Sequence, residues 1–442
     1  MPALYLLTGV ICASTPFVDA VVDIEPVWAG HPVGFPFRTY GDRQYLAYYD
    51  AGRQMTVARR KLPASPWMRT KLDSHVGWDS HNHISIAEDD AGHLHLVGNL
   101  HGSPLIYYRT TTPHDTRSLV RVDQMVGPER EQQMTYPQFI DGPDNQLIFT
   151  YRDGGSGRGD QVYNVYDGES GEWRRLIDTA FVSGEDVMNA YFTGPITGPD
   201  GYFHLAWVWR DTPDAATNHD VSYARSRDLV HWEDSGGGRL RLPIIFGTAD
   251  IADPAPARSG LLNGNLAIGF DAQNRVILTY HRHDARGDMQ MFGARRESAG
   301  WRIYQISDWA GYRWNFGGHG ALPSVEVYVS RVRLGEDGAL TMRYHYGLGA
   351  GVWRLDPDTL QPIGDMPEQP DIVPPSVYEV ESQFPGMRKQ VDRSLGRSDE
   401  PGIVYYATWE TLPANRDRPR EGALPGPSML RVIRLADVPP GR

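Results

Sequence analysis

Residues 198–210 read GPDGYFHLAWVWR. A turn built on Asp and Gly is followed by a run rich in aromatic residues that closes on an arginine. Gly and Asp suit a tight reversal, and the run suits a pleated strand. The same unit recurs as GDRQYLAYYDA (41–51), DDAGHLHLVGNLH (89–101), GPDNQLIFTYRDG (142–154), FDAQNRVILTYHRHD (270–284), LGEDGALTMRYHY (334–346) and, most weakly, GRSDEPGIVYYATWE (396–410). Alternation with period two indicates strand, not helix. Most copies are followed by a further strand and a segment carrying Trp or a basic residue, as in SPLIYYRT (103–110), QVYNVYDGESGEWRRL (161–176), VSYARSRDLVHWE (221–233) and MQMFGARRESAGWRIYQ (289–305). Neighbouring copies lie within about one blade plus a loop, and a blade takes ~40–50 residues. The pattern predicts an all-β chain: a seven-bladed β-propeller with four antiparallel strands per blade, its edges removed by ring closure. A pair of β-sandwiches and a six- or eight-bladed ring are the alternatives.

All-β folds hold long chains as one unit, so residues 21–442 read as a single propeller domain. Residues 1–20 read as a leader or a first strand: LYLLTGVICAS (4–14) is apolar but lacks the basic start of a secretory signal. No later stretch reaches the ~18 apolar residues of a membrane span. The 47 glycines and 33 prolines mark many turns, and the net charge of −12 argues against a nucleic-acid partner. The lone cysteine, Cys12, permits no internal disulfide and no thiolate zinc cage.

Residues equidistant from a hairpin turn face each other, ~4.5–5.5 Å apart at Cβ. A turn centred on Ala91 pairs His81 with His101, and one at Asp144 pairs Tyr136 with Arg152. A turn near Asp200 sets Tyr191 beside Trp209 and Asn189 near Arg210. A turn near Gln273 sets Asn263 against His283 and Asn265 against His281. Four successive units thus gather His81, His101, Tyr136, Arg152, Tyr191, Arg210, His281 and His283 at one mouth, unless a bulge shifts a register. His83, His93 and His95 read as solvated strand-end residues. His95 and His204 occupy matching repeat positions, which indicates a structural role. Tyr151, Trp207 and Trp209 read chiefly as packing, with Trp209 a second candidate for stacking on a sugar. The stretch RDGGSGRGD (152–160) reads as a flexible loop bordering a cleft.

There is no nucleophile elbow, phosphate loop or dinucleotide fingerprint. No carboxylate pair of the glycosidase kind is evident at the mouth. Imidazoles, a phenol and a guanidinium suit proton transfer on an anionic substrate. β-Elimination on a uronic acid fits. Arg152 would neutralise the carboxylate, and Tyr136 with His81 or His101 would act as acid and base, in an order the sequence leaves open.

The segments GWDSHNHISIAEDDAGHLHLVGNLHGSPLIYYR (77–109), MTYPQFIDGPDNQLIFTYRDGGSG (134–157), NAYFTGPITGPDGYFHLAWVWRDTPDAATNHDVSYARS (189–226) and SDWAGYRWNFGGHG (307–320) resemble the BNR-4 repeat proteins. That group includes propeller polysaccharide lyases of the ulvan and rhamnosyl-glucuronate type. The resemblance spans about residues 21–435. It implies catalytic roles for His81 in DSHN, His101 in GNLH, Tyr136 in TYPQF and Arg152 in YRDGGSG, with Tyr191 in NAYFTGP as a cleft aromatic. Tyr191, Arg210, His281, His283 and Trp209 are the substrate-binding candidates. Some relatives hold a structural calcium or zinc; Asn218-His219-Asp220 is a guess at such a site, and the chemistry itself needs no cofactor.

The reading is therefore a monomeric carbon–oxygen lyase acting on an acidic polysaccharide, secreted or periplasmic, with no nucleic-acid or membrane partner. A sialidase-like or other propeller glycoside hydrolase is the first alternative. SRDLVHW (226–232) looks like a degenerate Asp-box turn of such proteins, but only two of the three arginines needed, Arg152 and Arg210, can be placed. A non-catalytic sugar-binding propeller is the second.

Overall fold

The computed structural model describes residues 16–63, 65–335, 337–367 and 372–438. The apolar segment 4–14 lies outside these residues, whereas Phe17–Val27 is a strand. Among the described residues the chain forms seven sheets and only short 3₁₀ turns as helix. No helix among the described residues is long and apolar enough to cross a membrane.

Each of the seven sequence repeats supplies an interior strand of a different sheet. These strands are Arg43–Tyr49, Leu94–Gly98, Leu147–Gly155, Phe203–Arg210, Val276–His283, Leu340–Tyr346 and Val404–Thr411. The preceding turns work as composition suggests. Asp89 accepts the His93 amide at 2.7 Å, and Asp271 accepts those of Gln273 and Arg275 at 3.0 and 2.9 Å. The carboxylate takes up amides inside turns that the backbone also closes, Asp89 N–H donating to the His93 carbonyl and Asp271 N–H to that of Arg275. In the Asp-box-like segment, Asp228 likewise accepts from Val230 and His231, and Trp232 is buried beneath.

The chain divides into two compact units: Met1–Gly77 with Gln369–Pro413 and Glu421–Arg442, and Trp78–Glu368 with Ala414–Arg420. In the first, Phe17–Val27 pairs antiparallel with Ser428–Ala436, and Leu395–Ser398 joins Phe37–Gly41 in parallel. The second unit holds five sheets, and its cores lie between successive sheets. Leu147, Phe149 and Tyr151 pack with Val97 and Tyr107 of the preceding sheet. The alternate residue Ile148 packs with Leu205, Trp207 and Trp209 of the next. Ala206 and Val208, in turn, pack with Leu278 and Tyr280. Period two therefore separates two apolar faces, not an apolar face from a wet one. Burying both faces stabilises by about 1.5–3 kcal/mol for each large side chain.

His95 and His204 are buried, so His95 is not a solvated residue, and the two share the matching arrangement their repeat positions imply. His95 joins Tyr107 Oη at 2.7 Å and Asp89 at 3.2 Å; His204 joins Tyr223 Oη at 2.6 Å and Asp200 at 2.9 Å. His83 is half-buried, not solvated: Nδ1 lies 2.9 Å from the His81 carbonyl and the ring stacks on Tyr136.

Candidate active site

The site lies in the second unit and is organised around Asp79. Its Oδ1 accepts the backbone N–H of His81 at 2.9 Å, which fixes the turn carrying that residue. His81 Nδ1 meets the same oxygen at 2.9 Å, and His101 Nδ1 donates to Oδ2. A carboxylate only accepts, so both Nδ1 atoms carry hydrogen and the Nε2 end of each ring is left for chemistry. The two rings lie 4.7 Å apart. His81 Nδ1 is also 3.2 Å from Asp417 Oδ2. Burial alone would lower the His81 pKa, but Asp417 and Asp79 outweigh it and raise it to about 9. Burial would raise both carboxyls, yet the histidines hold Asp79 and Asp417 below the usual carboxylate range.

The expected neighbourhood of His81 and His101 is found, by a different route. The ladder of the hairpin ends at Ile84 opposite Gly98. The chain then leaves the sheet through Asn99 and Gly102, both at positive φ, and His101 pairs with Thr135 of the next sheet. Thr135 Oγ accepts from the Gly102 amide at 2.8 Å and donates to the Gly154 carbonyl at 2.7 Å, tying three segments together.

The expected Tyr136–Arg152 register is corrected by a bulge. Arg152 faces Thr135, because the ladder shifts between Thr135 and Gln138. Tyr136 sits in that bulge at φ +54°, a conformation that costs roughly 1–2 kcal/mol outside glycine. The bulge turns its phenol toward His101 and His81, with ring centres at 5.6 and 5.8 Å, and toward Tyr191 at 6.0 Å. A second shift, between Thr193 and Ile196, puts Trp209 opposite Ala190 instead of Tyr191, while Asn189 faces Arg210 as expected.

Arg152 is 3 % exposed, and none of its three side-chain nitrogens has a hydrogen-bond acceptor. Its Cζ lies 5.0 Å from the Tyr136 ring and 5.1 Å from that of Tyr191. The stretch 152–160 is not a loose loop. It is the end of a β-hairpin, with Gly154 opposite Gly159. A Cβ on Gly159 would come 2.9 Å from Arg152 Cγ, so glycine lets the hairpin close over the guanidinium. Tyr191 Oη is 2.9 Å from Ser156 Oγ and accepts from Arg210 Nη1 at 3.2 Å. Burial would raise its pKa; the charges of Arg152 and Arg210 reverse this and hold it at about 8. Burial pushes Tyr136 up.

A cavity of about 450 Å³ opens onto His81, His101, Tyr136, Ser156, Tyr191 and Arg210, and also onto Asn263, Arg416 and Asp417. That is the size of a small-molecule site, roughly 300–1,000 Å³. Arg152 does not line it. Neither do Trp209, His281 and His283. Trp209 is fully buried and donates to Ser222, a consequence of the two-faced core. His281 is fully buried against Trp314, with its pKa lowered to about 3 by burial. His283 Nε2 lies 3.3 Å from the Trp314 carbonyl. Asp79, Asp417, Arg416 and Ser156 escaped the sequence reading. Asp79 had a signal, since an Asp two residues before a His can cap the turn that carries it. Asp417 and Arg416 come from a remote turn with none.

Against the expectation of no carboxylate pair at the mouth, Asp79 and Asp417 both line the cavity. Both are held ionised, so neither is the raised-pKa acid of a glycosidase. Asp79, His81 and His101 also bring donor atoms within 4.8 Å, the one such grouping among the described residues. The 2.9 Å contact of Asp79 with His81 Nδ1 and its still closer one with His101 are hydrogen bonds. They are tighter than the separation of about 3.3 Å between donors of one tetrahedral zinc. In Asn218-His219-Asp220, the His219 ring is clamped between Asp220 at 2.6 Å and Asp211 at 3.0 Å, and both its nitrogens face carboxylates.

A family model for BNR repeat-containing proteins matches residues 43–309, more than half of the chain. The chain belongs to this family. Among solved structures, polysaccharide lyase Uly1 is similar over 95% of this chain and 99% of its own, with TM-score 0.60 and 14% identity. An ulvan lyase described as a new polysaccharide lyase family covers 95% of this chain and 96% of its own, with TM-score 0.59 and 12% identity. That ulvan lyase has also been solved bound to -[GlcA(1-4)Rha3S]-. These likenesses show a shared fold between the BNR-repeat chain and the lyases. No curated protein matches the sequence.

Proposed function

We propose that this protein is a polysaccharide lyase that cleaves a uronate-containing polymer, of rhamnosyl-glucuronate type, by β-elimination. The observation that carries the reading is the meeting of two unlike pairs in one cavity. Tyr136 and Tyr191 share the Arg152 guanidinium, and His81 and His101 share the Asp79 carboxylate.

β-Elimination needs a base for the C5 proton, α to the carboxylate, and a donor for O4 as the C4–O4 bond breaks. The C–H electron pair becomes the C4=C5 double bond, and O4 leaves with the donor's proton. The phenols titrate as a coupled pair. Arg152 beneath them and Arg210 beside Tyr191 favour one phenolate near pH 8, and this pair is the base. The imidazole pair is the donor, with His81 protonated up to about pH 9. In this account Arg152 acts on the phenols instead of gripping the substrate. A sialidase-like reading fits less well, because Arg152 is buried under the phenols and every side-chain nitrogen of Arg210 has an acceptor.

The seven sheets, each with one repeat strand inside, support reading them as blades of one seven-bladed propeller. The substrate class follows the oligosaccharide bound to the ulvan lyase. A polymer of this kind is met outside the cytoplasm, by a secreted or periplasmic monomer. The test is incubation with ulvan, gum arabic and other glucuronate polymers while following ultraviolet absorbance of the unsaturated uronate. A signal abolished by His101→Ala and Tyr136→Phe supports the lyase. New reducing ends without the chromophore point to hydrolysis, and sugar binding without products leaves the lectin reading.

A further inference from the structure

The elimination drawn above assigns no residue to the substrate carboxylate, on which negative charge builds as C5 loses its proton. Four cationic or imidazole side chains line the cavity: His81, His101, Arg210 and Arg416. The two imidazoles are anchored on Asp79 and serve O4. Arg210 is spent on the protein: Nε donates to the Thr212 carbonyl, Nη2 to that of Pro213, and Nη1 to Tyr191 and Asn263. Arg416 differs. Nη1 alone is engaged, donating to the Gly317 carbonyl at 2.7 Å and more weakly to that of His319 at 3.5 Å. Nε and Nη2 have no acceptor among the described residues, and the side chain is half-buried.

The turn that presents Arg416 is held in a costly shape. Arg416 and Asp417 are consecutive non-glycine residues at φ +54° and +57°. Such positions persist only where the surroundings over-determine them. Here they do: Arg416 N–H donates to the Ala321 carbonyl, Asp417 accepts from the Ala321 and Ser80 amides, and Arg418 N–H donates to the Asn415 carbonyl. The strained pair thus delivers two groups at once, a carboxylate to His81 and a half-anchored guanidinium to the cavity.

We propose that Arg416 is the specificity-determining residue that binds the uronate carboxylate, so that the turn Asn415–Arg418 joins the imidazole donor to the charge it must balance. The proposal rests on the lyase reading. A guanidinium fixed by one arm offers its remaining edge as a planar donor pair, the geometry a carboxylate accepts in bidentate fashion. Arg416 draws charge toward the carboxylate oxygens as the C5 proton leaves for the phenol pair, and it favours acidic over neutral sugars by the pairing that only a carboxylate makes.

The experiment uses the full chain carrying Tyr136→Phe, to hold turnover down, with two probes: a glucuronate–rhamnose oligosaccharide and the same oligosaccharide after carboxyl reduction to glucose. Calorimetry should show the acidic probe bound more tightly. Adding Arg416→Met should weaken the acidic probe about 10- to 100-fold, as loss of a charge-assisted pair does, and leave the neutral probe unchanged. Arg416→Lys, which keeps the charge without the fork, should fall between. A parent protein that prefers the acidic probe equally with and without Arg416→Met overturns the assignment alone. A parent protein that does not prefer it at all overturns the lyase reading and this inference together. Should Arg416→Met fail to melt cooperatively, the lysine variant decides: an undiminished preference there refutes the assignment.

Discussion

Asp79→Asn keeps the side chain's shape and its grip on the His81 amide, but removes the charge shared by two imidazoles. In the native site the His81 pKa stands at about 9 against an ordinary 6.5. At 1.36 kcal/mol per pH unit that is worth about 3 kcal/mol. The His81 side chain is 26% exposed, so little of this is screened. Asp417 and Asp79 supply the effect between them against burial, so the variant should retain no more than about half of it and its midpoint should move down from 9 toward the ordinary value. The sign of the stability effect follows. A folded-state pKa above the unfolded value stabilises in full below about pH 6.5 and is lost as pH rises through 9. The variant should therefore lose about 1–2 kcal/mol more, relative to the parent, at pH 6 than at pH 10. The assay is an NMR titration of the histidine Cε1–H signals, alongside urea melts at both pH values. An unchanged His81 midpoint, or an equal stability deficit at pH 6 and pH 10, would refute the claim that Asp79 charges the imidazole pair.

Further outcomes follow from the same geometry. kcat/KM against pH should form a bell, rising near pH 8 as the Tyr136–Tyr191 pair ionises and falling near pH 9 as His81 deprotonates. Tyr136→Phe should cost about 10²–10⁴ in kcat with oligosaccharide binding retained, the range for a lost acid–base group; a loss confined to KM would count against it. Trp207→Ala, at a fully buried position between two sheets, should destabilise by about 3–5 kcal/mol in urea melts. His281, held near 3, stabilises above pH 6.5, and that contribution fades as pH falls toward 3. His281→Met should flatten the decline in melting temperature between pH 7 and pH 4.

The repeat pattern was legible because a local cause produces it. An Asp or Gly turn closes by its own side chain or freedom of φ, and the strand behind it must fill two cores. The two-faced core was not legible: AWVW alternates in parity between Trp207 and Val208, yet both residues are buried, each against a different sheet. Hairpin arithmetic brought His81 to His101 and Asn189 to Arg210. It failed by one residue at Tyr136 and at Tyr191, where bulges intervene, and such bulges depend on the neighbouring strand. His281, His283 and Trp209 were drawn toward the mouth by the same arithmetic, but the core claims them. Asp79 was readable from its turn. Asp417 and Arg416 were not, because more than three hundred residues separate them from His81 and only tertiary packing brings them there.

The central claim is elimination, and mass spectrometry of the products tests it most directly. Digestion of a glucuronate-containing polymer should yield oligosaccharides whose new non-reducing end is an unsaturated uronate, one water lighter than the hydrolysis product. Products carrying that water, or an unaltered polymer across the glucuronate substrates, would contradict the account.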